Sequence, residues 1–510
     1  MNKNNKFLSL SLIFLAFAFY AILLSADFYL PHINQGVGEL LVSRIDLLGN
    51  FSIDNNANNG VGLDYTFNSM LEHLLNGRFD VSAESVGAEG YLHDGKLIAY
   101  WGIFCALIRA PLLLIKNGLL LNVTTLSCFI AVCISAAVKF ETLNLIYSNT
   151  SQSIIRNFFY WLLVLTILFS GAQISFLKPS LYQEVCFWSG ALGAIFIFFA
   201  VKGIVSGDFS VSLMNKMAVV AGLALLCRVT MGIGLYFALI ALLGSNIFYL
   251  WNDNKITSKQ LKASLLTKKI LAPSLLLLGF AIMTGLVNYF RWGNPFTFVD
   301  FTGYLMNYYF PDRPLRLEAY GVFNAARIPY SLLYYFLPIW SFRDSDKDLW
   351  FGDEHSRLFD SLELPAGSFF LTDPLLILLF CIAIYFWAKN KQLLIVKSNI
   401  FLILLGLLSQ CALVLMASAL SHRYRIDFYP ALEFGAFIGY WYLCKASLTE
   451  RTQTRLKYFG MLLTAIGVLS SFIIFFLYFL SDPGPAIPLL NDGIWQYYLQ
   501  KVFELKTQLQ

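Results

Sequence analysis

Apolar residues gather along this chain in blocks of roughly twenty, separated by short polar stretches that carry most of the Lys and Arg. A helix of that length rises about 1.5 Å per residue and crosses the roughly 30 Å hydrocarbon core of a bilayer. Such blocks fall near Leu8 to Ala26 and at 119–147, 158–176, 183–201, 213–228, 231–250, 270–290, 371–388, 399–419, 428–446 and 458–480. The pattern predicts an all-α fold, a polytopic transmembrane helical bundle of about eleven spans. One transmembrane unit then covers 1–480, and a tail at 481–510 follows, with a short amphipathic helix in DGIWQYYLQKVFEL.

Two apolar pieces, Tyr100 to Ile115 and Ile328 to Trp340, are short for a crossing, and Pro111, Pro329 and Pro338 break them. Both are expected to lie along the interface as juxtamembrane helices. The segment 27–118 has a different rhythm. In GLDYTFNSMLEHLLNGRFD, Tyr65, Met70, Leu71, Leu74 and Leu75 recur at helical spacing and Asn76-Gly77 supplies a stop. This predicts an amphipathic helix with its stripe on the membrane and Asp64 at its start, where the carboxylate can cap the helix or face a cavity. A second amphipathic piece runs from Val37 to Leu48, and His93-Asp94-Gly95-Lys96 reads as a turn before it reads as a ligand. The chain carries no convincing inverted repeat of the kind many secondary transporters have.

Charge orients the bundle. With Lys3 and Lys6 cytoplasmic, the same side collects Lys139 with Arg156, Lys202 with Lys216, the cluster Lys255, Lys259, Lys262, Lys268 and Lys269, then Lys389, Lys391 and Lys397, and Lys445, Arg451, Arg455 and Lys457. This makes the N-terminus cytoplasmic and the C-terminus external in a multi-pass protein, with the cell inner membrane as its expected location. The first external loop at 27–118, a later one at 291–370 and the short segments at 177–182 and 421–427 then share one face.

Composition narrows this further. Hydrophobic residues make up 58% of the chain and charged ones 13%, which excludes an ordinary soluble domain. The formal charge of +5 is spread between apolar blocks, so nucleic acid is not an expected partner. The eight cysteines lie in or beside apolar segments without a CxxC pair and read as core residues. Five scattered histidines without HxxxH give no zinc site, and no metal ligands are assigned. The Asn122 and Asn149 sequons read as chance matches.

The run Asp64-Tyr65, Met70-Leu71, Asn76-Gly77-Arg78-Phe79, His93-Asp94-Gly95-Lys96 and Tyr100-Trp101, ahead of Leu107 to Leu114, resembles the GT-C superfamily of integral-membrane glycosyltransferases. It is similar to the branch holding the lipid A aminoarabinose transferase and the protein O-mannosyltransferases. Asp64 is followed by Tyr65 where that branch has Asp-Glu, and Tyr100-Trp101-Gly102 stands where it has KPP. The resemblance implies a GT-C-like fold, a polyprenyl-phosphate-linked sugar donor, and a glycan, lipid or protein acceptor on the external face. It requires no cofactor, while a divalent cation is permitted.

Transfer from a lipid phosphate to a hydroxyl needs a base for the acceptor proton and cations for the departing phosphate. Asp64 is the expected base, with Glu184 as the second acid that GT-C enzymes place in the next external loop. Lys178, Arg228, Arg291, Arg423 and Arg425 are the candidate cations, at outer ends of spans. Arg228 interrupts AVVAGLALLCRVTMGIGLYF, where a charge facing lipid would be costly. Asp94 and Tyr182 complete the substrate-binding candidates, and Tyr304, Tyr308, Tyr309, Tyr320 and Trp340 offer rings for stacking. Asp64 as a helix cap, Lys178 with Glu184 as an interfacial pair, and Arg423, Arg425 and Asp427 as paired or snorkelling charges are the competing readings. A transporter or flippase of lipid-linked saccharides, or a glycan polymerase, are the rival functions.

Overall fold

The structure is a computed structural model that describes residues 3–25, 62–175, 177–254, 267–337, 357–363, 367–389 and 394–480. The amphipathic piece from Val37 to Leu48, Lys255, Lys259, Lys262 and Lys391, Pro338, Trp340 and the tail from Ser481 lie outside the described residues.

Each predicted span holds a helix. They are α1 (Lys3–Ser25), α3 (Thr124–Ser148), α4 (Ile154–Phe169), α5 (Leu181–Ser206), α6 (Val211–Cys227), α7 (Val229–Asn254), α8 (Lys268–Trp292), α11 (Pro374–Lys389), α12 (Leu394–Met416), α13 (Tyr429–Lys445) and α14 (Glu450–Leu480). Between them lie α2 (Thr66–Leu75), α9 (Asp312–Tyr320) and α10 (Ile328–Phe336). Among the described residues, 6 helices are long and apolar enough to cross a membrane, and Leu8–Leu24, Val211–Cys227, Val229–Ser245 and Pro374–Lys389 are shorter apolar helices. The chain is a helical membrane protein.

Local chemistry sets the helix ends. Ser153, Ser180 and Ser210 each accept a backbone N–H of the helix they open, which answers one donor a first turn leaves unpaired. Arg156 donates back to the carbonyls of Tyr147, at 3.3 Å, and Thr150, at 2.7 Å, closing the end of α3. Helices then pack as α11 on α13, α7 on α12, α3 on α5, and α6 on α8. Gly406 lies so near the Ala238 backbone, and Gly439 so near the Leu379 carbonyl, that a Cβ at either would collide with main chain. Small residues at such crossings let backbones approach in a setting where lipid is as apolar as the interface.

Lys139 corrects the charge walk. It is a buried residue within α3, its Nζ 2.6 Å from Glu433 of α13 and 3.3 Å from Gln173, rather than a cytoplasmic loop charge. A charge inside a span is tolerated when paired, and its partner lies far away in sequence.

The connecting segments meet at one end of the bundle. Tyr91–His93 (β1) and Lys96–Ile98 (β2) form a hairpin whose two-residue turn puts Asp94 at φ 47 and Gly95 at φ 73, the left-handed pair a type I′ turn requires. Tyr91 bridges to Tyr304, and Leu305 N–H reaches the Gly90 carbonyl at 3.0 Å, so the first and the later loop are joined. Ser361–Leu362 (β3) pairs in parallel with Ala419–Leu420 (β4), which sets Glu363 beside Ser421. Arg327 gathers the carbonyls of Gly321, Val322 and Leu358, each at 2.8 Å. The piece from Tyr100 to Ile115 becomes a one-turn helix at Phe104–Leu107 and a 3-10 turn at Ala110–Leu114, with Leu113, Leu114 and Ile115 exposed.

Candidate active site

Asp64 sits in a 3-10 turn, Leu63–Tyr65, just ahead of α2. It does not cap that helix: the residue at the cap is Tyr65, and no side chain caps there. Instead, Asp64 Oδ2 accepts a hydrogen bond from Asn122 Nδ2 at 3.0 Å, and Oδ1 has no hydrogen-bond partner among the described residues. The Asp64 carbonyl accepts from Arg109 and from Thr124 Oγ, each at 3.2 Å. Burial pushes the carboxyl above the ordinary aspartate range, opposed by the Asn122 hydrogen bond and the positive charge of Arg109.

Arg109 is the hub beneath it. Its guanidinium donates to Asn68 Oδ1, to Thr124 at 3.2 Å and to Glu184 Oε2 at 2.6 Å, over the Phe67 ring. Glu184, in the first turn of α5, is 0% exposed. The two predicted acids therefore share one arginine, with Asp64 bound through its backbone and Glu184 through its carboxylate.

A second cluster lies on the other side of that first turn. Arg228, between α6 and α7, forms a fork with Asp427 through Nε at 3.0 Å and Nη2 at 2.7 Å, and Thr230 donates to the same carboxylate at 2.7 Å. Its guanidinium stands 4.8 Å from the centre of the Tyr424 ring; that of Arg423 stands 5.9 Å from the same ring and 4.2 Å from Tyr182. Arg423 also pairs with Glu363 at 3.1 Å, and Tyr478 donates to that carboxylate at 3.0 Å. Their side chains are 16% and 21% exposed, and Nη1 of Arg228 and Nε of Arg423 have no hydrogen-bond partner among the described residues. Lys178 Nζ lies 5.7 Å from the Tyr478 ring, and burial lowers its pKa against the pull of Glu363. Each arginine is paired with a carboxylate yet keeps a partly exposed edge with an N–H unpartnered among the described residues, which an anion could accept.

The structure thus groups Arg228, Arg423, Lys178 and Tyr182, and turns Arg425, Arg291 and Asp94 to other surroundings. Arg425 is buried against Asp373 at 3.0 Å. Arg291 is buried within α8, where it donates to the Trp101 carbonyl at 2.9 Å. Asp94 is exposed at its turn. The apolar stripe of α2 is only partly relocated: Met70 and Leu71 are buried in the protein core with Phe67, whereas Tyr65 and Leu74 are half-buried and Leu75 is exposed. Sequence reasoning missed Asn122, Thr124, Arg109, Glu89 and Glu363 as neighbours of the candidates. Asn122-Val123-Thr124 was legible only as a sequon, although both polar side chains bond Asp64.

Among the described residues, no three His, Cys, Asp or Glu side chains gather as metal ligands. A cavity of about 640 Å³ lies elsewhere, among Leu15, Phe19, Leu162, Phe169 and Phe472, and is apolar.

No family model matches the chain, and no curated protein matches it. The chain is similar to solved structures, among them two of an archaeal oligosaccharyltransferase. One is the crystal structure of the Archaeoglobus fulgidus oligosaccharyltransferase in the apo form, at TM-score 0.46 and 11% identity over 95% of this chain and 57% of that one. The other is the archaeal oligosaccharyltransferase AglB from Archaeoglobus fulgidus in complex with an inhibitory peptide and a dolichol-phosphate, at TM-score 0.47 and 11% identity over 100% of this chain and 60% of that one. The chain thus covers less than two thirds of either protein's length.

Proposed function

We propose that this protein is a membrane glycosyltransferase that moves a sugar from a polyprenyl-phosphate donor to a glycan, lipid or protein acceptor on the external face. The observation that carries the reading is the pair of half-open arginines, Arg228 and Arg423, both facing Tyr424 with unspent donors. A phosphate monoester leaving group fits such a pair, because charge grows on it as the glycosidic bond breaks. Asp64 is the base. Its free Oδ1 takes the acceptor hydroxyl proton as that oxygen forms a bond to the anomeric carbon, and the carbon–oxygen bond to phosphate breaks on the opposite face. One displacement inverts the configuration. Glu184 acts through Arg109, holding the backbone of Asp64 in place.

Asp64→Asn tests the assignment in nanodiscs containing polyprenyl-phosphate-linked hexoses or pentoses, by following release of polyprenyl phosphate. Turnover should fall by ~10²–10⁴-fold with an unchanged thermal midpoint. Wild-type release matched by Asp64→Asn removes the base, and movement of intact headgroup across the bilayer without release removes the enzyme.

A further inference from the structure

We infer that Glu89, with the hydroxyls of Tyr182 and Tyr304, forms the subsite that holds the donor's sugar; this rests on the glycosyltransferase reading. Glu89 ends a 3-10 turn, Gly87–Glu89, directly before β1, and its side chain is only half buried. Tyr304 OH donates to Glu89 Oε2 at 2.7 Å. The Tyr182 side chain lies near enough to the same carboxylate to feel its charge. The Tyr182 ring carries Arg423 on its face at 4.2 Å, so one tyrosine lies near both the carboxylate and the proposed phosphate clamp. With phosphate on Arg423, the proposed arrangement puts the group esterified to it across Tyr182, toward Glu89.

The surroundings fit a sugar rather than a second phosphate. A carboxylate offers about four acceptor positions, and the phenols leave room for further hydroxyl donors. Its negative charge disfavours an anion there, while a polyol supplies O–H groups. Rings continue around it: Tyr91 stacks on Tyr304 at 4.5 Å, Tyr100 meets Tyr91 at 5.5 Å, and Trp101 meets Tyr182 at 5.7 Å. These give apolar faces with polar edges, suited to a molecule whose C–H faces and hydroxyls alternate.

The duller role for Glu89 is a tether between the loops, and the experiment separates the two. Binding of a bare polyprenyl phosphate, and of the same lipid carrying one neutral hexose or pentose from a panel, is measured on the full-length protein in nanodiscs. Wild type should bind the bare lipid and prefer at least one glycosylated form. Glu89→Gln should erase that preference, weakening the glycosylated lipid by ~10–100-fold with the bare lipid unchanged. Tyr304→Phe keeps the stack on Tyr91 and should lose part of the same preference. Equal loss for both lipids together with a lowered thermal midpoint assigns Glu89 to tethering and overturns the inference, as does an unchanged preference. Failure of wild type to bind the bare lipid rejects the phosphate site itself, and with it the function on which the subsite depends.

Discussion

Arg423 and Arg425 share one 3-10 turn, His422–Asp427, yet occupy opposite settings. Arg425 points inward, 0% exposed, with Asp373, Thr372 and Ser175 around it and the Phe369 ring 4.3 Å beneath. Arg423 points to the loop end, half buried, paired with Glu363 and resting on two tyrosine rings with donors to spare. Charge alone therefore does not mark the site. Arg425 also keeps an unpartnered Nε, but it is sealed from solvent, so access rather than spare donors separates the two: a guanidinium closed inside the protein is structure, and one with a partly exposed edge can be reached by a ligand. The same contrast in access separates Arg109, 2% exposed against Asn68, Thr124 and Glu184, from Arg228, 16% exposed.

The contrast breaks most visibly through Arg425. In Arg425→Leu the Asp373 carboxylate stays buried without its cation, a loss of about 3–5 kcal/mol. Yield of monodisperse protein and the thermal midpoint in detergent should both fall. A wild-type midpoint would place the two arginines on the same footing. Arg423→Gln should do the reverse: its pair with Glu363 is partly open to solvent, so stability changes by about 1 kcal/mol or less. Polyprenyl phosphate binding should weaken by ~10–100-fold. Lysine at this position keeps the charge but not the planar fork, and should restore only part of that binding. Unchanged lipid affinity in Arg423→Gln would remove the clamp.

How much of this was legible in the sequence follows from what each signal measures. Hydropathy reports sustained apolar length, so every predicted span holds a helix. It cannot say what an apolar stripe touches, because bilayer and protein interior are equally apolar, and Met70 and Leu71 therefore turn to the bundle rather than the membrane. A single lysine in an apolar block looks like a loop charge until its partner is known; Lys139 and Glu433 sit on helices far apart in the chain. Asp64 was marked by its helix pattern and by resemblance, but its hydrogen-bond partner Asn122 lies beyond the hairpin and the broken juxtamembrane piece. Arg423 and Arg425 were alike as letters, and the turn that sends them apart is a tertiary outcome. Periodicity thus reached the elements, while pairing across loops decided the site.

The smallest expected effect sharpens the comparison on the Asp64 side. Burial raises the Asp64 pKa, and the Asn122 N–H lowers it by favouring the carboxylate. In Asn122→Ala that favourable contact is gone, so the pKa rises further. The proposed base works only when ionised, and activity is lost as pH falls through this pKa. The acid limb of the pH–rate profile should therefore move to higher pH in Asn122→Ala, with turnover on the plateau little changed. Asn122→Asp puts a negative charge beside the carboxyl and should move the limb further in the same direction. A limb that stays fixed in both variants belongs to another acid, and Glu184, sealed against Arg109 and remote from Asn122 in its hydrogen bonding, would then be the group to replace.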